Sequence, residues 1–174
     1  MQKMCAFVLS LLVVAMTLPG QAQTASEQEK NKAVARAFVE VMNQGKLENY
    51  SDLHTADFVG HGAERDFTLA EDLAAAREER KAFPDLQGAV NHIVAEGDLV
   101  VVHWTLRGTN TQPGMGLPAT GKPIKISGMT LFRFKGGKIS EEWNAWSMLS
   151  VLKQLGLLCA GQEPKSPAHN PTNP

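Results

Sequence analysis

LQGAVNHIVAEGDLVVVHWTLRGT, residues 86–109, and KPIKISGMTLFRFKGGKISEEWNAW, residues 122–146, decide the fold, because in both the apolar residues recur at every second position. That period belongs to strands with one face buried. It predicts strands at about 86–96, 98–109, 122–134 and 138–146. Glu96-Gly97-Asp98 and Lys135-Gly136-Gly137-Lys138 join neighbours as hairpins, the second suiting a type I turn closed by a glycine bulge. Between the two hairpins, Thr111 to Gly121 holds Pro113, Gly114, Gly116 and Pro118, too many breakers for a strand.

Upstream, the period changes to helical. Ser26 with Glu29 has the spacing of a capping box, and Val34, Ala37, Phe38, Val41 and Met42 then form an apolar stripe that ends at Gly45. Leu47 to His54 suggests a second, short helix, and Phe58-Val59 a brief extended piece before a turn at His61-Gly62. Thr68 can cap a third helix. Leu69, Leu73 and Ala76 line its apolar side, Glu71, Asp72, Glu78 and Lys81 its wet side, and Pro84 stops it. A last helix spans Met148 to Leu155 before Gly156. Helices followed by a meander make an α+β domain with the helices on one face of the sheet, an arrangement that leaves a cavity.

The ends read differently. Met1-Gln2-Lys3, an apolar run from Met4 to Leu18, and Pro19-Gly20-Gln21-Ala22 together resemble an export signal cleaved after Ala22. The run is shorter than the ~20 apolar residues of a spanning helix. The expected product is a soluble periplasmic or extracellular protein with no membrane attachment. The segmentation is 1–22 signal, 23–160 domain and 161–174 a disordered tail with Pro164, Pro167, Pro171 and Pro174. Of the two cysteines, Cys5 leaves with the signal, so Cys159 has no internal disulfide partner. A formal net charge of -1 in 174 residues gives no basic face for nucleic acid.

The residues also resemble a family. Asn31-Lys32-Ala33-Val34, Val41 to Gly45, Asp57-Phe58-Val59 with His61, and Ala82-Phe83-Pro84-Asp85 are similar to the first half of the SnoaL-like polyketide cyclase, or ester cyclase, family. Val94 to Asp98, Gly116-Leu117-Pro118-Ala119-Thr120-Gly121-Lys122, Phe132-Arg133-Phe134, Glu141-Glu142-Trp143 and Leu152 to Gly156 follow in that family's order. The resemblance implies a nuclear transport factor 2-like cone. In it, about three N-terminal helices pack on a strongly curved, mainly antiparallel sheet around an apolar pocket, and a short helix closes the chain.

Pairing Phe134 with Lys138 sets Thr130 opposite Glu142, Gly128 opposite Asn144 and Ile126 opposite Trp146, so that Thr130, Glu142, Asn144 and Trp146 share one face. The resemblance makes that face the pocket side. It puts the cyclases' acid/base carboxylate at Asn144 and their pocket histidine at Thr130, and both are missing. An amide does not abstract an α-proton. Glu142 is then the nearest ionisable group, one that burial would tune toward a base, with pairing to Lys138, Lys125 or solvent as the plainer alternative. His61, placed by the resemblance near the pocket mouth, is the other polar candidate. Trp146, Thr130, Phe132 and Trp104 are the candidate ligand contacts, although the aromatic residues also fit a plain core. His54 and His61, seven apart across a turn, make no metal pattern, and no cofactor is expected.

The expectation is therefore a small apolar or amphipathic ligand in a cone whose acid/base site is degraded. The alternative is a cofactor-free cyclase, isomerase or hydrolase using Glu142 or His61. A homodimer is expected through the outer sheet face, where Met129, Leu131 and Trp143 fall.

Overall fold

The computed structural model describes residues 19–158, with side chains from Ala25 onward. Cys5, most of the export signal, Cys159 and the proline-rich tail lie outside the described residues.

Helix α1 (Pro19–Gln44) starts seven residues before Ser26, so Ser26 lies inside the helix and does not cap it. Proline is tolerated at a first helical turn, and no breaker follows Gly20 before Gly45. The deepest residue of its inner side is Ala35, fully buried, with Val34 and Phe38 beside it. Ala37 of the expected stripe is only half-buried. At its C-terminal end the Asn43 side chain clamps the first strand of the meander, donating to Gly88 O at 2.9 Å and accepting from Gly88 N at 2.6 Å.

A 3-10 helix (Leu47–Leu53) leads into β1 (His54–His61) and β2 (Asp66–Thr68), then α2 (Leu69–Ala82). The expected brief extended piece is thus a full strand followed by a second, unanticipated one. Thr68 caps α2 with a reciprocal capping box to Glu71. The meander is β3 (Gln87–Glu96), β4 (Leu99–Thr109), β5 (Pro123–Lys135) and β6 (Lys138–Ala145), followed by α3 (Met148–Leu155). Ser147 caps α3, and Gly156 ends it at φ 71°.

The six strands form one sheet in the order β2-β1-β6-β5-β4-β3, antiparallel except for β1 with β6. Irregularities in pairing at Val90/His92 and Arg133/Phe134 bend it. The core lies on its concave side, where Val100, Val102, Phe132, Phe134 and Ile139 meet Ala35 and Phe58. Val151 and Leu155 of α3 close one end against Ile124, Ile126, Phe83 and Leu86. This is the expected α+β cone.

Two details of the last hairpin differ from expectation. Gly136 and Gly137 both have positive φ, 60° and 77°, and Lys135 pairs directly with Lys138, so the turn has the two-residue form that needs left-handed backbone at both positions. The register also differs. Thr130 lies opposite Asn144 and Phe132 opposite Glu142. The difference is two residues, which preserves strand parity, so Thr130, Glu142 and Asn144 still share the concave face. Trp146 falls beyond the end of β6 and pairs with no strand residue.

Candidate active site

The helices and the concave sheet face enclose a cavity of about 240 Å3. Phe38, Met42, Val102, Leu106, Ile126 and Phe132 make much of its wall apolar. Thr130, Phe132, Glu142, Asn144, Trp104 and Trp146, all candidates from the sequence, line it together.

A chain of hydrogen bonds fixes the orientation of the polar wall. Gly128 lies opposite Trp104, and a Cβ there would come within 2.5 Å of the indole, so the glycine lets the ring lie across β5. The indole Nε1 then donates to Thr130 Oγ1 at 2.9 Å. Indole nitrogen can only donate, so the threonine hydroxyl must direct its own proton elsewhere, and it donates to Asn144 Oδ1 at 2.5 Å. That sets the amide: Oδ1 faces Thr130, and Nδ2 donates to Glu142 Oε1. One amide hydrogen of Asn144 is left for a ligand.

Glu142 is 3 % exposed and takes part in no ion pair among the described residues, so the plainer alternative of pairing with Lys138, Lys125 or solvent does not describe it. Burial, reinforced by the neighbouring Asp72 charge and opposed by the Asn144 bond, pushes its carboxyl up to about 8. Its Oε2 has no hydrogen-bond partner.

Around Glu142 the structure gathers groups that the sequence did not single out for the site. Tyr50, from the 3-10 helix, donates its hydroxyl to Asp72 Oδ2. Burial holds the Tyr50 phenol well above its usual range, with the Glu142 and Asp72 charges adding to the effect. Asp72 lies on the inner side of α2, not its wet side, and burial raises its carboxyl against the stabilising Tyr50 bond. Two turns along, Glu79 is pushed up to about 7, chiefly by burial. Arg80 binds the carbonyls of Pro84 and Leu86 through Nη1, both at 3.1 Å. The signal was present: Asp72, Ala76, Glu79 and Phe83 follow a 3–4 residue spacing that marks one helix face.

His54 is also part of this group. It is buried, stacks on Tyr50 with ring centroids 4.7 Å apart, and its Nδ1 is 2.8 Å from the Tyr50 carbonyl oxygen. Burial lowers its pKa. A ring nitrogen of His54 and carboxylate oxygens of Asp72 and Glu142 lie within 4.8 Å of one another, which makes these three the candidate metal-holding group among the described residues. The histidine pair considered from sequence is not brought together in this way.

His61 sits elsewhere. In the parallel pairing of β1 and β6, Gly60 lies opposite Glu142 and His61 opposite Trp143, so His61 faces the convex side and is absent from the cavity wall. It stacks on Trp143 at 4.4 Å and bonds Asp66 at 3.0 Å and Glu141 at 2.9 Å. The Glu141 bond, opposed by partial burial, raises its pKa. The expectation of His61 at the pocket mouth is corrected by strand parity.

Comparison with known proteins agrees with this geometry. Residues 32–155 match the family model described as SnoaL-like polyketide cyclase. AclR of Streptomyces galilaeus, a candidate hydroxylase, is similar at 29% identity over 79% of this chain and 87% of its own, with a TM-score of 0.71. IdmH of Streptomyces antibioticus, a candidate polyketide cyclase, is similar at 29% identity over 72% and 98%, TM-score 0.64. A candidate polyketide cyclase of Acidithiobacillus ferrooxidans reaches 31% identity over 74% and 95%, TM-score 0.62. No functionally curated protein matches the chain.

Proposed function

We propose that this chain, which belongs to the SnoaL-like polyketide cyclase family, is a cofactor-free acid/base catalyst acting on a small, largely apolar carbonyl compound, with Glu142 exchanging the proton. The observation that carries this reading is a carboxyl buried in an apolar cavity, poised at about 8 and held on Oε1 by an oriented Asn144 amide. When a substrate carbonyl meets the remaining Asn144 N–H, its α-carbon can lie beside Oε1. From the ionised carboxylate, whose fraction grows as pH approaches about 8, the C–H bond then breaks, an O–H bond forms on Glu142, and the enolate oxygen keeps the amide hydrogen bond. A ring closure, the reaction class in the names of the cyclase relatives, or an isomerisation would follow from such an enolate. On this reading Glu142 takes the acid/base role that the resemblance would assign to position 144.

The test is turnover of a panel of β-keto esters by wild type and Glu142→Gln. Loss of about 10²–10⁴-fold in the variant is expected, the usual worth of one positioned acid/base group. The resemblance, which implies a carboxylate where this chain has Asn144, favours a second reading, ligand binding without turnover. Saturable binding that Trp146→Ala weakens, with no turnover by wild type, would replace the first reading by the second.

Export fits this reading as well. Among the described side chains of α1, the first buried one is Asn31, nine residues beyond the expected cleavage after Ala22. Intact mass of the secreted protein should lack residues 1–22.

A further inference from the structure

Three side chains, from β1, α2 and β6, each commit one polar atom to a neighbour and hold another back. His54 Nδ1 is 2.8 Å from the Tyr50 carbonyl oxygen, which can only accept, so the hydrogen of the neutral imidazole is on Nδ1 and Nε2 presents a lone pair. Asp72 receives the Tyr50 hydroxyl on Oδ2, which leaves Oδ1. Glu142 receives the Asn144 amide on Oε1, and its Oε2 has no partner. A ring nitrogen of His54 and one carboxylate oxygen each of Asp72 and Glu142 lie within 4.8 Å of one another. Two of these residues carry orphaned atoms: His54 Nε2 and Glu142 Oε2 make no hydrogen bond, on side chains only 2 % and 3 % exposed, and neither atom has surface that a water could reach.

From this juxtaposition we propose that His54, Asp72 and Glu142 form a binding site for one divalent ion of the zinc type, and, resting on the reading of Glu142 as the acid/base group, that the ion switches its chemistry off. One imidazole with two carboxylates is a donor set that zinc accepts. Ligand atoms held at about 2.1 Å in a tetrahedron stand about 3.4 Å apart, so the three need to close by only about 1 Å. An ion at that range satisfies atoms that a water, needing about 2.8 Å for a hydrogen bond, does not reach. The two carboxylates balance its charge, so the filled site adds no net charge to a largely apolar wall. Each ligand is already oriented through its other atom, two of them by Tyr50 and the third by Asn144, as the outer partners of metal ligands do. Asp72 and Glu142 line the cavity, so the ion enters from it and keeps its fourth position open there. The Glu142 carboxylate then serves as a ligand, and the α-proton of a substrate finds no base.

The experiment adds zinc chloride to metal-free wild type, Tyr50→Phe and His54→Gln and reads bound zinc by equilibrium dialysis. One zinc per wild-type chain is expected, bound about 10–100-fold more weakly by Tyr50→Phe, which loses only the hydroxyl on Asp72, and lost by His54→Gln. No zinc on wild type, or zinc kept by His54→Gln and so held by another histidine such as His61, would overturn the site. Cobalt in place of zinc reports on wild type without any variant: the intense visible absorption of a four-coordinate ion is expected, and the pale spectrum of the hydrated ion contradicts it. Turnover of β-keto esters by metal-free wild type should fall about 10²–10⁴-fold on one equivalent of zinc and return on chelation, the loss of one acid/base group. A rate raised by zinc would overturn the switch. Zinc bound by a wild type that turns nothing over with or without it would end the acid/base reading and the switch together, and leave the site standing.

Discussion

Replacing Glu142 by glutamine should make the protein less sensitive to pH, and the size of the effect follows from the burial of the carboxyl. In the unfolded chain the group titrates near 4.5, whereas in the native state it is pushed up to about 8. A carboxyl raised on folding binds its proton more tightly in the native state. Its contribution is fully present below 4.5, and as pH rises the unfolded chain ionises first, so native stability falls until Glu142 itself ionises near 8. At 1.36 kcal/mol per pH unit the interval from 4.5 to about 8 amounts to about 5 kcal/mol. Glutamine keeps the shape and an acceptor for Asn144 but has no proton to lose. Glu79, raised to about 7 by burial, slopes the same way in both proteins and cancels in the comparison. The assay is urea unfolding of wild type and Glu142→Gln at pH 5 and pH 8, at one protein concentration so that association does not enter. The variant should gain several kcal/mol over wild type between the two pH values. Parallel behaviour of the two proteins would refute a carboxyl held neutral by burial, and with it the electrostatic basis of the site.

Two further outcomes follow from the geometry. Gly128→Ala puts a Cβ 2.5 Å from the Trp104 ring and 2.8 Å from the Ala145 carbonyl oxygen, so it should cost about 1–3 kcal/mol and change near-ultraviolet circular dichroism. The convex sheet face exposes 64 % of Val94 and 54 % of Met129 beside half-buried Leu131 and Trp143, and we propose that a second copy of the chain covers it. Light scattering at about 100 μM should give a dimer mass for wild type and a monomer mass for Met129→Lys; a wild-type monomer would contradict the proposal.

The strands were legible because alternation is a local signal, and the glycines at 97, 136 and 137 marked where the chain turns. Register was not: one residue of the shift comes from the tighter turn that pairs Lys135 with Lys138, and the other from the irregularity at Arg133/Phe134, which depends on how two strands fit and leaves no residue signature in either. The error of two residues preserved parity, which is why the Thr130, Asn144 and Glu142 face was found even with wrong partners. His61 was misplaced for the converse reason. Its side depends on the parallel docking of β1 against β6, a non-local contact that puts Gly60 and not His61 over Glu142. The sequence does not mark His54, Tyr50 and Asp72 as one cluster, because a buried polar residue looks like a solvent-facing one until its partners are known. Each here is defined by a neighbour 4 to 22 positions away.

Central to the account is a neutral, poised Glu142, and its titration can be observed directly. Carboxyl 13C NMR of selectively labelled protein, assigned by the loss of one signal in Glu142→Gln, gives the midpoint without any substrate. A midpoint near the value of about 8 set by burial is predicted. A midpoint near 4.5, the ordinary glutamate range, would show a solvated or ion-paired carboxylate and contradict the site described above.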